Sequence, residues 1–467
     1  MKKTEPIKYN PKHLRWIVLI LTGVTYLAFT MFSDYFNSLK DQLSIHLNFS
    51  STDYGIFQSA YGFPNVFLGM TIIGGITVDK LGIRLSGLIT SILAFIGVLI
   101  TGYGASSDFN SGGFGYHFLN SFLKGFSPGL KMMCIGFFFL GLGLENVNLI
   151  ITKIIVRWFK DSKMALALSI NISLARLGTA LAISAAPLLV TSAGFGGSIK
   201  IAVLVSFLGL ITYAIYLGVE TKRVKKEKEL GIYPKKKSEA ESDPEEVFKW
   251  KDVRKLIKNP AFIFITLLCV TFYSAFVPFL KYAPDLLHNK FMFPDDKAGI
   301  YTSALPIGTI IFGPIFGYLV DKKGHAINIM LVGALLMIFA FISLGFTKLS
   351  PVASFILLGA SFSLVPAAMW PTVARISPMR TLGTAYGVIF FIQNFGLWLF
   401  AFLPGYILDI SNPKITPEQI AKGTAYYNYT WTIVLLLFLG AIALIFALAL
   451  IYTNKKHKMK LNSPLSE

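Results

Sequence analysis

Two charged residues of this 467-residue chain stand inside long apolar segments. Glu145 lies in FFFLGLGLENVNLIITKIIVRWF, and Arg176 lies in KMALALSINISLARLGTALA. Glu145 precedes Arg157 by twelve residues and Arg176 follows Lys163 by thirteen, so helices would place both charges about 18 to 20 Å from the same end. An acid and a base at one depth can neutralise each other, or they can hold the two opposite charges of a bound solute.

Polar side chains share the predicted helix faces of these two charges. Asn148 follows Glu145 at i+3, and Ser173 precedes Arg176 at i−3. The same faces continue at helical spacing with Thr152, Ser169 and Thr179. Hydroxyls and amides beyond the needs of one ion pair favour the lining of a cavity. The alternative is a structural ion pair that joins two helices.

The composition is that of a membrane protein. Hydrophobic residues make up 54% of the chain and charged residues 14%, against roughly 25% charged residues in soluble domains. The net charge of +19 lies mostly between apolar runs, without a basic and aromatic stripe, which argues against nucleic-acid binding. Cys134 and Cys269 fall inside apolar runs and the six histidines are scattered, so we expect no metal site and no other cofactor.

Twelve apolar runs are long enough to cross a bilayer as helices of roughly 20 residues. They lie near residues 15–36, 53–78, 85–107, 128–156, 163–193, 197–218, 260–285, 297–320, 325–347, 351–374, 383–410 and 427–453. We therefore predict an all-α membrane protein with twelve transmembrane helices in two six-helix bundles, residues 1–218 and 260–453. A charged cytoplasmic linker, 219–259, with a short amphipathic helix near 246–258, separates the bundles, and 454–467 forms a tail.

The distribution of basic residues predicts the orientation. With the amino terminus inside, 31 of the 43 lysines and arginines fall in inside segments and 10 in outside segments. Basic loops favour the cytoplasmic side, so both termini are predicted to be cytoplasmic. The inside loops near 79–84, 157–163 and 321–325 are short, which predicts tight reversals between paired helices.

A glycine-rich charged motif occurs twice at equivalent positions. GGITVDKLGIR covers 74–84 between the second and third runs, and GYLVDKKGHAI covers 317–327 between the eighth and ninth. The first copy supplies Gly75, Asp79, Lys80, Gly82 and Arg84, and the second supplies Gly317, Asp321, Lys322 and Gly324. Each aspartate ends a helix, where its charge is unfavourable for that helix, so it must gain from another contact.

This repeated motif resembles the signature loop of the major facilitator superfamily. The second copy departs from the pattern because His325 follows its glycine and no arginine comes after it. The resemblance implies that each aspartate latches the cytoplasmic side, the first copy against the eleventh span and the second against the fifth. These residues are therefore predicted to form a conformational gate.

Longer stretches are similar to one branch of that superfamily, typified by the lysosomal dipeptide transporter of animals, major facilitator superfamily domain-containing protein one, and its bacterial relatives. The stretches are SAYGFPNVFLGMTIIGGITVDKLGIR, VRWFKDSKMALALSINISLARLGTAL and MWPTVARISPMRTLGTAYGVIFFIQNFGLWL. The resemblance implies a dipeptide bound between the halves. At the matching positions, Glu145 would lie near the peptide's amino group and Arg176 near its carboxylate.

The second half offers a less charged wall to the same site. The seventh run contains Tyr273, and the eleventh contains Asn394 and Trp398. The predicted substrate-binding residues are thus Glu145, Asn148, Ser173, Arg176, Tyr273, Asn394 and Trp398. Asp34 and Lys281, at the outer ends of their runs, are expected at the membrane interface.

These observations predict a monomeric secondary transporter that moves small zwitterions, dipeptides above all, by alternating access. Uniport and proton coupling both stay open, because Glu145 could carry a proton while its proximity to Arg176 opposes this. The alternative is a major facilitator transporter of mono- or dicarboxylates, with Arg176 as the anion site. No H-E-x-x-H, G-x-S-x-G or phosphate-binding motif indicates an enzyme. We expect a multi-pass protein of a bacterial inner membrane.

Overall fold

The computed structural model describes residues 12–159, 163–230, 256–347, 349–377, 382–416, 419–420, 423–459 and 461–463. Within these ranges, the backbone alone is described at 12–13, 71–73, 75–80, 165, 321 and 383–384. The predicted amphipathic helix near 246–258 falls mostly outside the described residues. The described elements are helical throughout, which confirms the predicted fold class.

The first half contains nine α-helices and a short 3₁₀ helix, Phe36–Ser38, within the described residues. The α-helices are α1 (Lys12–Tyr35), α2 (Lys40–Leu47), α3 (Ser51–Ala60), α4 (Phe63–Phe67), α5 (Met70–Gly104), α6 (Ser107–Asn110), α7 (Tyr116–Ser121), α8 (Pro128–Phe159) and α9 (Met164–Glu229). Because α9 runs to Glu229, the beginning of the predicted linker is helical.

The second half contributes seven helices to the described residues, six of them with 20 residues or more. These are α10 (Pro260–Phe291), α11 (Asp295–Thr302), α12 (Ala304–Lys323), α13 (Ala326–Phe346), α14 (Pro351–Ile376), α15 (Leu382–Ser411) and α16 (Thr430–His457). Asn259 begins α10 by accepting a hydrogen bond from the backbone N–H of Ala261, and Pro260 occupies the first helical position, where no amide is needed.

Ten helical segments of the described residues are long and apolar enough to cross a membrane. One of them, within α9, reverses at Gly194 and so crosses twice. Its two arms lie against α1. Gly178 of the first arm faces Leu27 and Gly209 of the second arm faces Ala28, so closely that an added methyl group would contact these residues. The second crossing is built from three pieces, α3, α4 and the start of α5, none of which is long enough alone. Twelve crossings result, as predicted.

Short reversals link paired helices on the side of the termini. Gly82 (φ 79°), Lys163 (φ 61°) and Gly324 (φ 68°) all adopt positive φ at the turns that the sequence predicted. In the first half α5 packs along α8 and α1 packs along α9. The fit is close at Gly136, where a methyl group would overlap α5 at Thr101. Small residues thus allow the helix backbones to approach, as is typical of membrane bundles.

The two halves meet on the side away from the termini. Between side chains and backbone that the structure describes, every hydrogen bond and ion pair joining the halves uses residues 40–58 of the first half. The same face contains the contact of Gly299 with Ile183 and of Gly55 with Phe402. The halves are therefore in contact, and the protein is closed, on the side away from the termini.

We expect Gly194→Ala to lower the melting temperature of the detergent-purified protein. Gly194 combines φ 72° with ψ 167°, a backbone region open essentially to glycine alone, and a methyl group there would meet nothing within 4 Å. The cost is therefore backbone strain of about 1 to 3 kcal/mol. The matched control is Gly196→Ala. The added methyl group would also point into open space, but residue 196 has helical backbone, so the melting temperature should be unchanged or higher. Equal melting temperatures for the two variants would contradict the reversal.

Candidate functional site

Glu145 is held by a tyrosine from the broken second crossing. It lies in the middle of α8, and its Oε1 accepts a hydrogen bond of 2.9 Å from the hydroxyl of Tyr61, between α3 and α4. The approach requires glycine at 141, since a methyl group there would overlap the carbonyl of Tyr61. Sequence reasoning missed Tyr61. The available signal was the Gly62-Phe63-Pro64 interruption in an apolar run.

Arg176 reaches from the first half to the second. It lies on α9, and its guanidinium carbon is 5.3 Å from the ring centroid of Phe362 on α14. Arg176 makes no hydrogen bond or ion pair with another residue that the structure describes. An unpaired arginine at membrane depth is costly, and its contact with an aromatic face offsets only part of that cost. The guanidinium donors are thus available to a ligand.

Glu145 and Arg176 do not form an ion pair with each other. Tyr26 of α1 is close enough to both side chains to interact with their charges. No N–O distance of 4.0 Å or less joins the acid to the base, and both side chains are partly accessible to solvent. Helices α8 and α9 pack mainly on α5 and α1, which keeps the two charges apart. The arrangement differs from the directly bonded pair that would staple two helices.

Three of the other predicted binding residues lie close to these charges. Tyr273 of α10 contacts Phe362 edge-on, with ring centroids 5.3 Å apart, and is near enough to Arg176 to interact with its charge. Asn148 and Ser173, one turn from Glu145 and Arg176, are partly accessible, and their side chains make no hydrogen bond to another described residue. Their polar groups are therefore free to face a solute.

The two predicted residues of α15 are placed differently. Asn394 is partly accessible, beside Gln393, whose Oε1 accepts from the Cys269 thiol at 3.5 Å. Trp398 packs edge-on against Phe67 at 4.9 Å and lines an apolar cavity of about 740 Å³ between the halves. The rest of the lining is mostly aliphatic and aromatic, with Ser59 and Cys134, and includes neither Glu145 nor Arg176, so this cavity does not bring Trp398 together with the two charges.

Asp34 and Lys281 face the protein interior rather than lipid headgroups. Asp34 accepts hydrogen bonds from Thr179 at 2.7 Å and from Asn37 at 3.2 Å. The Lys281 ammonium donates to Gln58 Oε1 at 2.7 Å, across the boundary between the halves. Their positions at the ends of apolar runs predicted the membrane interface for Asp34 and Lys281. The sequence did not show the polar partners from other segments that allow these charges to be buried.

Two charged contacts close the outer side. The carboxylate of Asp409 accepts from the backbone N–H groups of Ser51 and Thr52 at 3.1 and 2.6 Å, at the amino end of α3. The Lys40 ammonium lies 3.0 Å from Asp285, and both side chains are buried. Burial alone would lower the pKa of Lys40, but Asp285 and other neighbours raise it above its ordinary value. Lys40 is therefore charged at neutral pH.

The repeated motif lies on the opposite side, away from these contacts. Gly82 and Gly324 form the two turns, Gly317 is surrounded by open space, Lys322 donates to the Tyr318 hydroxyl at 3.2 Å, and Arg84 is partly exposed. The backbones at Gly75, Asp79, Lys80 and Asp321 are helical, and their side chains lie outside the described residues. The predicted latching role of the motif stays a prediction.

The described helices, long and apolar enough to cross a membrane, define an integral membrane protein. The sequence matches the Major Facilitator Superfamily over residues 18–401 and 289–467, and the chain belongs to this superfamily. It is 29% identical over 414 residues to the lysosomal dipeptide transporter MFSD1 of Danio rerio, covering 86% of this chain and 82% of that protein. The human MFSD1 is also 29% identical, over 417 residues, with the same coverage. The protein is thus a transporter and not an enzyme.

Solved structures show the same fold at low sequence identity. A bacterial homolog of the human lysosomal transporter Spinster, inward-facing and unoccupied, matches with a TM-score of 0.68 at 14% identity, covering 95% of this chain and 99% of that one. A D-xylose-proton symporter matches with a TM-score of 0.66 at 13% identity, covering 97% and 98%. These likenesses confirm the two-bundle architecture.

We expect Asp409→Asn to shift the protein toward the outward-open state. The amide loses the charge with which Asp409 binds the amino end of α3, a loss of about 1 kcal/mol, or roughly a fivefold change in the equilibrium. The measurement is the labelling rate of a Ser173→Cys variant, in a background without the two native cysteines, by an impermeant maleimide added outside. The rate should rise about fivefold.

The matched control is Asp53→Asn. Asp53 accepts from the Ser50 backbone N–H at 3.0 Å within the capping box of the same helix and makes no hydrogen bond or ion pair with a described residue of the second half. This variant should weaken α3 locally and leave external labelling unchanged. A faster labelling rate in the Asp53→Asn control, or an unchanged rate in the Asp409→Asn variant, would show that the contact of Asp409 with α3 does not govern outer closure.

Proposed function

We propose that this protein transports dipeptides across a membrane by alternating access. The observation that carries the proposal is an acid, Glu145, and an arginine without a charged partner, Arg176, that are both partly accessible, do not pair with each other and both lie within electrostatic range of Tyr26. The relatives at 29% identity are dipeptide transporters, which supports the same class of solute here. A free dipeptide has one ammonium and one carboxylate, and the site offers one partner for each.

The chemistry recognises the two ends of the peptide rather than its side chains. Glu145, fixed by the Tyr61 hydroxyl, accepts hydrogen bonds from the ammonium, and Arg176 donates a forked pair of bonds to the carboxylate. A dipeptide backbone spans about 7 Å, which suits an acid and a base that do not touch. Each charge-assisted contact contributes about 1.5 to 3 kcal/mol, so affinity is micromolar to millimolar and side chains are tolerated.

The site also provides a means of coupling binding to movement. Arg176 belongs to the first half and contacts Phe362 of the second, and Tyr273 of the second half lies beside it. A peptide carboxylate drawn to Arg176 replaces the aromatic contact and changes the attraction between the halves. Because a ligand shifts a conformational equilibrium only by its differential affinity for the two states, this contact is where such a difference arises.

We expect Glu145→Gln and Arg176→Ala to reduce dipeptide uptake into proteoliposomes by roughly 10- to 100-fold in kcat/KM, the loss of one charge-assisted contact each. Glutamine keeps the shape of Glu145 and an acceptor for Tyr61, so this variant should fold. Controls of matched chemistry are Glu229→Gln and Lys200→Ala, both exposed and remote from the site. Normal uptake by the two site variants would remove the proposed site.

Peptide analogues separate the two ends of the site and exclude the anion alternative. An N-acetylated dipeptide lacks the ammonium, so it should compete poorly with dipeptide uptake by the wild-type protein. Its affinity should fall little further in the Glu145→Gln variant. A transporter of mono- or dicarboxylates would instead be stabilised against heat by those anions and not by dipeptides, since ligands stabilise the state they bind. Such a result would replace the dipeptide by an anion held at Arg176.

Tyr61→Phe should raise the KM for dipeptides by roughly two- to tenfold while leaving the fold intact. The variant removes the hydroxyl that orients Glu145, and a single hydrogen bond is worth about 0.5 to 1.5 kcal/mol. Tyr103→Phe is the control, because its hydroxyl makes only a long, exposed bond of 3.5 Å to the Phe114 carbonyl. A change of equal size in both variants would indicate a general effect of losing a tyrosine hydroxyl.

A further inference from the structure

Three side chains of metal-binding type meet on the closed outer side, and Asp41 is far along the chain from His288 and Asp295. Asp41 comes from α2 in the first half, His288 from the end of α10, and Asp295 from the start of α11. One donor atom of each lies within 4.8 Å of the others. His288 Nδ1 is 2.6 Å from an oxygen of Asp295. The cluster therefore joins the two halves.

The cluster carries more negative charge than its neighbours neutralise. Asp41 Oδ1 is shielded from solvent and has no hydrogen-bond donor among the described residues. Its carboxylate is close to Asp285, whose own partners are Lys40, Tyr429 and Asn289. A cation beside Asp41 would give Oδ1 a partner and reduce the repulsion between the two carboxylates.

We propose that Asp41, His288 and Asp295 bind a divalent metal ion of the zinc class. One imidazole and two carboxylates form a donor set that suits Zn²⁺ and leaves a coordination position for water. The side chains of His288 and Asp295 are 29% and 40% exposed, so an ion can enter from the outer aqueous phase. Asp41 supplies a carboxylate whose Oδ1 is shielded from solvent and has no hydrogen-bond partner among the described residues.

The bound ion would act as a clamp on the outer gate. Asp41 moves with the first half, and His288 and Asp295 move with the second, so opening the outer side must separate Asp41 from the other two ligands. A metal ion held by all three binds the closed form better than the open form and stabilises it. External zinc therefore inhibits turnover, and a chelator restores it.

The binding test uses the full chain in detergent, purified without a histidine tag, and titrated with ZnCl₂ in a calorimeter without any peptide. We expect one site per chain in the wild-type protein. Asp41→Asn, His288→Gln and Asp295→Asn should each weaken binding by about tenfold or more. His46→Gln is the matched control, because His46 lies on α2 at the same side, stacked on Phe195, and outside the cluster. Its binding should equal that of the wild type.

A transport arm tests the clamp. External ZnCl₂ should slow uptake by the wild type and by His46→Gln, but not by Asp41→Asn, which removes a buried charge and should remain folded. Absence of zinc binding by the wild type, or equal binding by all three ligand variants, would overturn the site. Zinc binding without inhibition would overturn the clamp. Because calorimetry needs no solute, failure of the dipeptide proposal would leave the binding result intact.

Discussion

Glu145 and Arg176 impose the main constraint on this protein, because a charge inside a bilayer is costly unless it meets water or a partner. Neither lies against its opposite charge, and each relies on a neighbour from elsewhere in the chain, Tyr61 for the acid and Phe362 for the base. The interior between the two halves must therefore stay partly accessible. An architecture of two bundles around such a site meets this requirement, and it is the fold observed.

The closure of the outer side depends on the same cost of burying a charge without a partner. The outer contacts consist of charged groups placed where their partners come from the other half: Asp409 at the amino end of α3, and Lys40 against Asp285. Such contacts are weak individually, but they exist only while the halves are together. They therefore shift the equilibrium between the closed and open states of the outer side and do not hold the fold together. Within the first half, the fold is stabilised by the packing of α5 on α8 and of α1 on α9.

Much of the architecture could be predicted from hydropathy. The runs near 15–36 and 351–374 correspond closely to α1 and α14. A segment that crosses the bilayer must be apolar over its length, and its backbone N–H and C=O groups must form their hydrogen bonds within a helix. The second crossing was harder to foresee. The only local signal in its apolar run is Gly62-Phe63-Pro64, whereas the helix is broken at Tyr61–Gly62 and again at Gly69, which adopts φ 60°. The first break brings Tyr61 to Glu145.

The sequence alone determined the number of crossings and the positions of Glu145 and Arg176 within their helices, because these depend on local length and composition, and its basic residues predict that the termini are cytoplasmic. Only the tertiary structure decided which groups surround those charges. Phe362 beside Arg176, Gln58 beside Lys281 and Asp41 beside His288 are separated by well over a hundred residues in the chain. No periodicity encodes such pairs, since they depend on how whole helices pack across the boundary between the halves.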